Sequence, residues 1–218
     1  MKSLLIKDFK ILMQQRTSLI MFLIISIFMV INGVEISFCI GYATMLVTIL
    51  MIGTISYDEH ENGMSFLMTL PISRKQYALS KYLFSMIGIT LTDILILLTI
   101  ALYNVCTQSE LLMTEYVTSA ILLFFTAIIM SSFMIPVHLK YGVEKSRLVL
   151  LLFAGVISII TLAFSKFDAY IPSGIKSFIM RFATATPAML VVFFGATALV
   201  VFIISLICSV HIIEKKDY

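Results

Sequence analysis

Long apolar runs alternate with short polar breaks along most of this 218-residue chain. About 20 apolar residues cross a bilayer as a helix, and six runs approach that length: Thr17–Ile31, Ile36–Ser56, Tyr82–Tyr103, Tyr116–Val137, Leu148–Phe164 and Pro187–His211. The pattern predicts an all-α polytopic membrane protein with six transmembrane helices in a single domain, residues 1–218. Asn32-Gly33 leaves almost no loop between the first two runs, so they should form a tight hairpin. Pro187 suits the first turn of the last helix, where its missing N–H costs nothing.

Two weaker patterns flank these runs. Over residues 3–15, Leu5, Phe9 and Leu12 share one helical face with Met13 at its edge, and Lys7, Lys10 and Gln14 lie opposite. This predicts an N-terminal amphipathic helix (residues 1–16) in the inner interface, its lysines near anionic head groups. In 165–186, Pro172-Ser173-Gly174 marks a turn and helix start. Ile175, Phe178, Ile179 and Phe182 then follow one apolar face, while Ser177, Arg181 and Thr184 keep the other side polar. An outer re-entrant or interfacial helix before the sixth span is expected.

Composition agrees with the pattern. Hydrophobic residues make up 61% of the chain and charged residues 12%, with a mean hydropathy of +1.09; a soluble domain of this size cannot bury so much apolar surface. The net charge of +3 is small and its bases are scattered, so no nucleic-acid partner is implied. Their placement along the chain sets the topology. Twelve bases (Lys2, Lys7, Lys10, Arg16, Arg74, Lys75, Lys81, Lys140, Lys145, Arg147, Lys215, Lys216) fall on one side of the spans, and three (Lys166, Lys176, Arg181) on the other. By the positive-inside rule both termini face the cytoplasm, in a multi-pass plasma-membrane protein. The stretch before the first run is too long for a signal-peptide n-region, so no cleavable signal peptide is expected.

One dense polar island, 57–82, interrupts the apolar sequence on that same inner side. Asp58, Glu59 and Glu61 crowd the end of the second span, where negative charge opposes the helix dipole. A break after Tyr57 and a new helix over roughly 59–69 follow. Met64, Leu67 and Met68 give that helix an apolar side, with Phe66 and Leu70 nearby, and Pro71 closes it. Ser73 with Gln76 three residues on forms a capping-box pattern, so the next helix starts at Arg74 and runs into the third span.

The run Glu59-His60-Glu61-Asn62-Gly63-Met64-Ser65, with Leu67, Leu70-Pro71-Ile72-Ser73-Arg74 and Ser80-Lys81, resembles the signature of the ABC type-2 transporter permeases. Glu59 and Gly63 keep the family spacing; the small polar residue, Ser65, stands one place later than usual. The likeness extends to an interfacial first helix, six spans and an outer helical segment, as in the short six-helix permeases of Gram-positive bacteria. It implies that 57–82 is a cytoplasmic coupling region docking on a separate ATPase subunit. Glu59, Glu61, Gly63, Ser65, Leu67, Pro71, Ser73 and Arg74 would be the coupling residues, and Glu59, Glu61 and Arg74 the main polar contacts. It also implies a second permease, as a homodimer or heterodimer. No G-x-x-x-x-G-K-[ST] loop occurs in the chain, so no cofactor is expected here, and ATP and Mg would be bound by the partner. The expected function is export, of antimicrobial or cytotoxic amphipathic peptides or drugs, with lipid-linked compounds also open.

Other polar residues are weighed against this. Asp93, mid-way along the third span, must face the bundle. It reads either as part of the translocation pathway or as a packing residue bonded to a hydroxyl such as that of Thr90. Glu35 reads as a solvated turn residue. His60, His138 and His211 are too dispersed for a metal site, and Met64 stands where H-E-x-x-H needs its second histidine. Cys39, Cys106 and Cys208 form no CxxC and read as membrane-helix thiols. The 14 methionines suit gap-filling in a bundle. The rival classes are a membrane-embedded enzyme, for which no catalytic cluster is visible, and a non-transporting anchor or sensor, which would have no ATPase partner.

Overall fold

A computed structural model describes residues 1–59, 63–69, 72–107, 113–166 and 184–215, and every regular element among them is a helix. In chain order these are α1 (Lys2–Gln14), α2 (Arg16–Ile31), α3 (Ile36–Glu59), α4 (Gly63–Thr69), α5 (Arg74–Thr107), α6 (Met113–Lys166) and α7 (Pro187–Lys215). Four stretches are long and apolar enough to cross a membrane: Ile36–Glu59, Arg74–Val105, Glu115–Gly142 and Pro187–Lys215. The pair α1–α2, bent by 67°, makes a fifth if taken as one span. The fifth expected span, Leu148–Phe164, falls in the second arm of α6, where many side chains lie outside the described residues. The expected outer helix over 165–186 lies outside them except at its ends.

Local rules explain several boundaries. The α2–α3 hairpin closes as expected: Gly33 takes φ +75°, its N–H donates to Val30 O, and Val34 N–H donates to Met29 O. That pair of bonds is the Schellman ending of a helix. α7 begins at Pro187, and α5 runs unbroken from Arg74 to Thr107.

Three expectations need correction. α3 does not break after Tyr57 but continues to Glu59, because cations from two other helices neutralise Asp58 and remove the dipole penalty. The ten-residue gap expected between Val137 and Leu148 is helical on both sides of a single non-helical residue, Gly142 (φ 73°, ψ 179°). α1 is not only an interfacial helix: it turns Leu4, Asp8 and Leu12 inward, while Phe9 and Met13 of the expected membrane-facing side stay exposed. An aspartate heads inward because its counter-ion waits there.

The largest core cluster brings six helices together near one end of the bundle: Leu4 of α1, Ile52 and Ile55 of α3, Met64 of α4, Tyr77, Ala78 and Tyr82 of α5, Met134, Ile135 and Leu139 of α6, and Ile213 of α7. Tyr82 keeps its hydroxyl satisfied within it, 2.5 Å from Ser205 Oγ and 2.8 Å from Ser209 Oγ. A second cluster, Ile40, Ala43, Ile96, Ile100 and Ala120, joins α3, α5 and α6 further along. α3 is the central helix, 56% of its apolar window being buried against 17% for α7; α7 turns Val192, Leu199, Ile203 and Ile207 outward.

Candidate functional site

The polar island is built on a buried knot of four charges. α1 supplies Lys7 and Asp8, α3 supplies Asp58, and α5 supplies Lys81. Lys81 Nζ lies 2.8 Å from Asp8 Oδ1 and 2.7 Å from Asp58 Oδ2. Lys7 Nζ lies 2.5 Å from Asp58 Oδ1 and 3.3 Å from Asp8 Oδ1. Asp58 Oδ2 also accepts from the Tyr77 hydroxyl at 2.9 Å, and Lys81 donates to Thr54 Oγ1 at 3.3 Å. Asp8, Asp58 and Lys81 are 0%, 4% and 3% exposed. Two positive and two negative groups leave no net charge, which is what permits such burial. Lys7, expected among head groups, is instead half-buried in this knot.

α4 is mounted beside it. Met64 is buried in the main core and Leu67 packs against that core, while Phe66 projects with 69% of its surface exposed. Gly63 is there for space: a Cβ on it would stand 2.9 Å from the Asp58 carbonyl oxygen. The expected capping box opens α5, with Gln76 N–H donating to Ser73 Oγ at 3.2 Å and Ser73 N–H reaching Gln76 Oε1 at 3.4 Å.

Two expected contact residues are engaged within the chain. Arg74 Nη1 donates to the carbonyls of Ile213 (3.1 Å) and Glu214 (2.7 Å) at the end of α7, where a cation satisfies orphan carbonyls and the dipole together. Lys75 reinforces this with Glu214 at 3.5 Å. Glu59 turns its carboxylate to the α6 break; a Cβ on Gly142 would meet Oε2 at 3.1 Å. His138 Nδ1 lies 3.1 Å from Ser146 Oγ across the same break. The end of α3 thus meets the α6 break and the start of α5 meets the end of α7, beside the core in which Met64 of α4 is buried. His60, Glu61 and Pro71 lie outside the described residues, as does the side chain of Ser65.

Sequence reasoning missed Asp8, Thr54 and Tyr77. The available signal was the spacing Leu4, Asp8, Leu12, which sets one carboxylate in an apolar stripe. Asp93 stands apart, 7% exposed in the α3–α5 contact, and its hydroxyl partner is Thr44 at 2.8 Å. Thr90 does not serve that role: it is exposed and its hydroxyl turns back to Met86 O. Cys39 and Cys208 are free thiols.

No curated protein matches the chain. A family model described as ABC-2 family transporter protein matches residues 3–214, nearly the whole length, and so takes in α1, the island and α7 alike. With its apolar helices, this makes the chain a multi-pass membrane protein with a permease role: it belongs to the ABC-2 family of transporter proteins.

Proposed function

We propose that the chain is the permease half of an ATP-driven exporter and that α4 is the element gripped by a separate ATPase subunit. The observation that carries this reading is the two-sidedness of α4. Met64 anchors it in the core shared by six helices, and two residues on, Phe66 is left bare. An exposed aromatic on a rigidly backed element is a typical interface anchor. Glu59 and Arg74 act beside it, tying the end of α3 to the α6 break and the start of α5 to the end of α7, and Glu61, Ser65, Leu67 and Pro71 complete the coupling segment. The partner binds ATP and Mg; closure of the ATPase pair moves α4, and the knot of Lys81 passes the displacement to α1, α3 and α5. A second permease, identical or related, lines the other half of the pathway. Both termini and α4 face the cytoplasm of a plasma membrane, and the cargo is an amphipathic antimicrobial peptide or drug.

The test is co-purification. The tagged chain, extracted from its native membrane in mild detergent, should carry a Walker-type ATPase. Phe66→Asp should lose it while remaining monodisperse and helical. A well-behaved chain that never brings down an ATPase would sink the reading.

A further inference from the structure

Asp93 is the one acidic or basic residue within the apolar stretches of α2, α3 and α5 and the first arm of α6. The stretches 17–31, 36–57, 82–107 and 116–137 contain no other Asp, Glu, Lys, Arg or His. On the helices packed against α5, the charged and imidazole groups gather near the ends. They are Lys2, Lys7, Asp8 and Lys10 on α1, Asp58 and Glu59 on α3, and His211, Glu214 and Lys215 on α7. On α6 they are Glu115 at one end of the first arm, His138, Lys140, Glu144, Lys145 and Arg147 around the break, and Lys166 at the far end of the second arm. On α5 itself the nearest is Lys81, twelve residues and about 18 Å away along the axis, already spent on Asp8 and Asp58. Among the described residues no cation pairs with Asp93. An ionised carboxylate there would be buried without a counter-charge, which is strongly unfavourable in a bilayer interior.

The hydrogen count at the site points the same way. Thr44 Oγ1 lies 2.7 Å from Ile40 O and 2.8 Å from Asp93 Oδ1, all of it buried. A hydroxyl has a single proton, yet both neighbours are acceptors if Asp93 is ionised. One further proton resolves this. We propose that Asp93 is a proton-binding site within the membrane: in this packing it is the neutral acid, its Oδ1–H donates to Thr44 Oγ1, and the Thr44 hydroxyl donates to Ile40 O. Asp93 Oδ2, buried and bonded to no group among the described residues, is then an uncharged carbonyl oxygen, far cheaper to leave bare than half of a carboxylate. The proton is held by the apposition of α3 and α5, so parting these helices to water would release it. The inference stands on the α3–α5 contact alone and does not depend on the ATPase reading.

Infrared spectra of the protein in lipid nanodiscs at neutral pH test it. Wild type minus Asp93→Asn should show a carboxylic-acid C=O band, and Thr44→Val should shift that band to higher frequency by removing its acceptor. Carboxylate stretches in place of an acid band would overturn the proposal. If Asp93→Asn does not fold, wild type minus Thr44→Val decides by itself. A shifted acid band supports neutral Asp93, and a change confined to carboxylate bands refutes it.

Discussion

Lys81 of α5 reaches Asp8 of α1 at 2.8 Å, across 73 residues of sequence, with both side chains shut away from solvent. The contact fixes the N-terminal helix to the start of the third strongly apolar helix. Because Lys81 also holds Asp58 at 2.7 Å, it is shared by three helices.

Lys81→Met should therefore be among the most destabilising single changes in the chain. It leaves two buried carboxylates facing one half-exposed lysine, and breaking a buried pair costs about 3–5 kcal/mol. Adding Asp8→Asn restores neutrality and should recover part of that loss. Thermal unfolding in detergent of the two single variants and the double variant checks the coupling; strictly additive losses would refute it.

Gly63→Ala should destabilise although it only adds a methyl group. That methyl meets the backbone carbonyl of Asp58, which has no side-chain freedom to yield. Overpacking of this kind costs about 1–3 kcal/mol, read as a lowered unfolding temperature. Gly142→Ala instead strains a residue at φ 73°, ψ 179°, a conformation essentially confined to glycine, at about 1–3 kcal/mol.

Ser73→Ala removes the cap of α5. A loss of roughly 0.5–2 kcal/mol is expected, and Ser73→Asp should retain most of the stability because it can accept the same Gln76 N–H. Equal losses for Ala and Asp would show that the cap hydrogen bond is not what Ser73 contributes.

Arg74→Met should loosen the last turn of α7, some 140 positions away in sequence. Bonds to a charged donor contribute about 1.5–3 kcal/mol. Hydrogen exchange over 211–215 should accelerate while α2 and α3 stay protected. Unchanged exchange at that terminus would count against the clasp.

Features set by local chemistry were legible from sequence. Ser73 and Gln76, Pro187 and the Asn32-Gly33 hairpin each follow from residues within one turn of one another, and the structure places all three as expected. Asp58 was misjudged for the complementary reason. The local dipole argument ended α3 at Tyr57, but the ions that stabilise Asp58 come from α1 and α5, which no local window contains. Asp8 escaped notice because a lone carboxylate on a lysine-bearing helix reads as solvated until its partner's position is known. Gly142 lay in a polar stretch that reads as an ordinary loop; that Glu59 of α3 lies against the one-residue break there is a long-range fact no local window contains. The permease signature was readable as spacing, while the inward engagement of Glu59 and Arg74 was not.

The reach of Lys81 to Asp8 also orders the birth of the protein. A chain still being synthesised, and stopped short of residue 81, presents two aspartates and a single lysine at the place where α1 must settle. The ribosome has to deliver the start of α5 before that site becomes neutral. α1 thus finds its seat no earlier than α5, although three other helices separate the two along the chain.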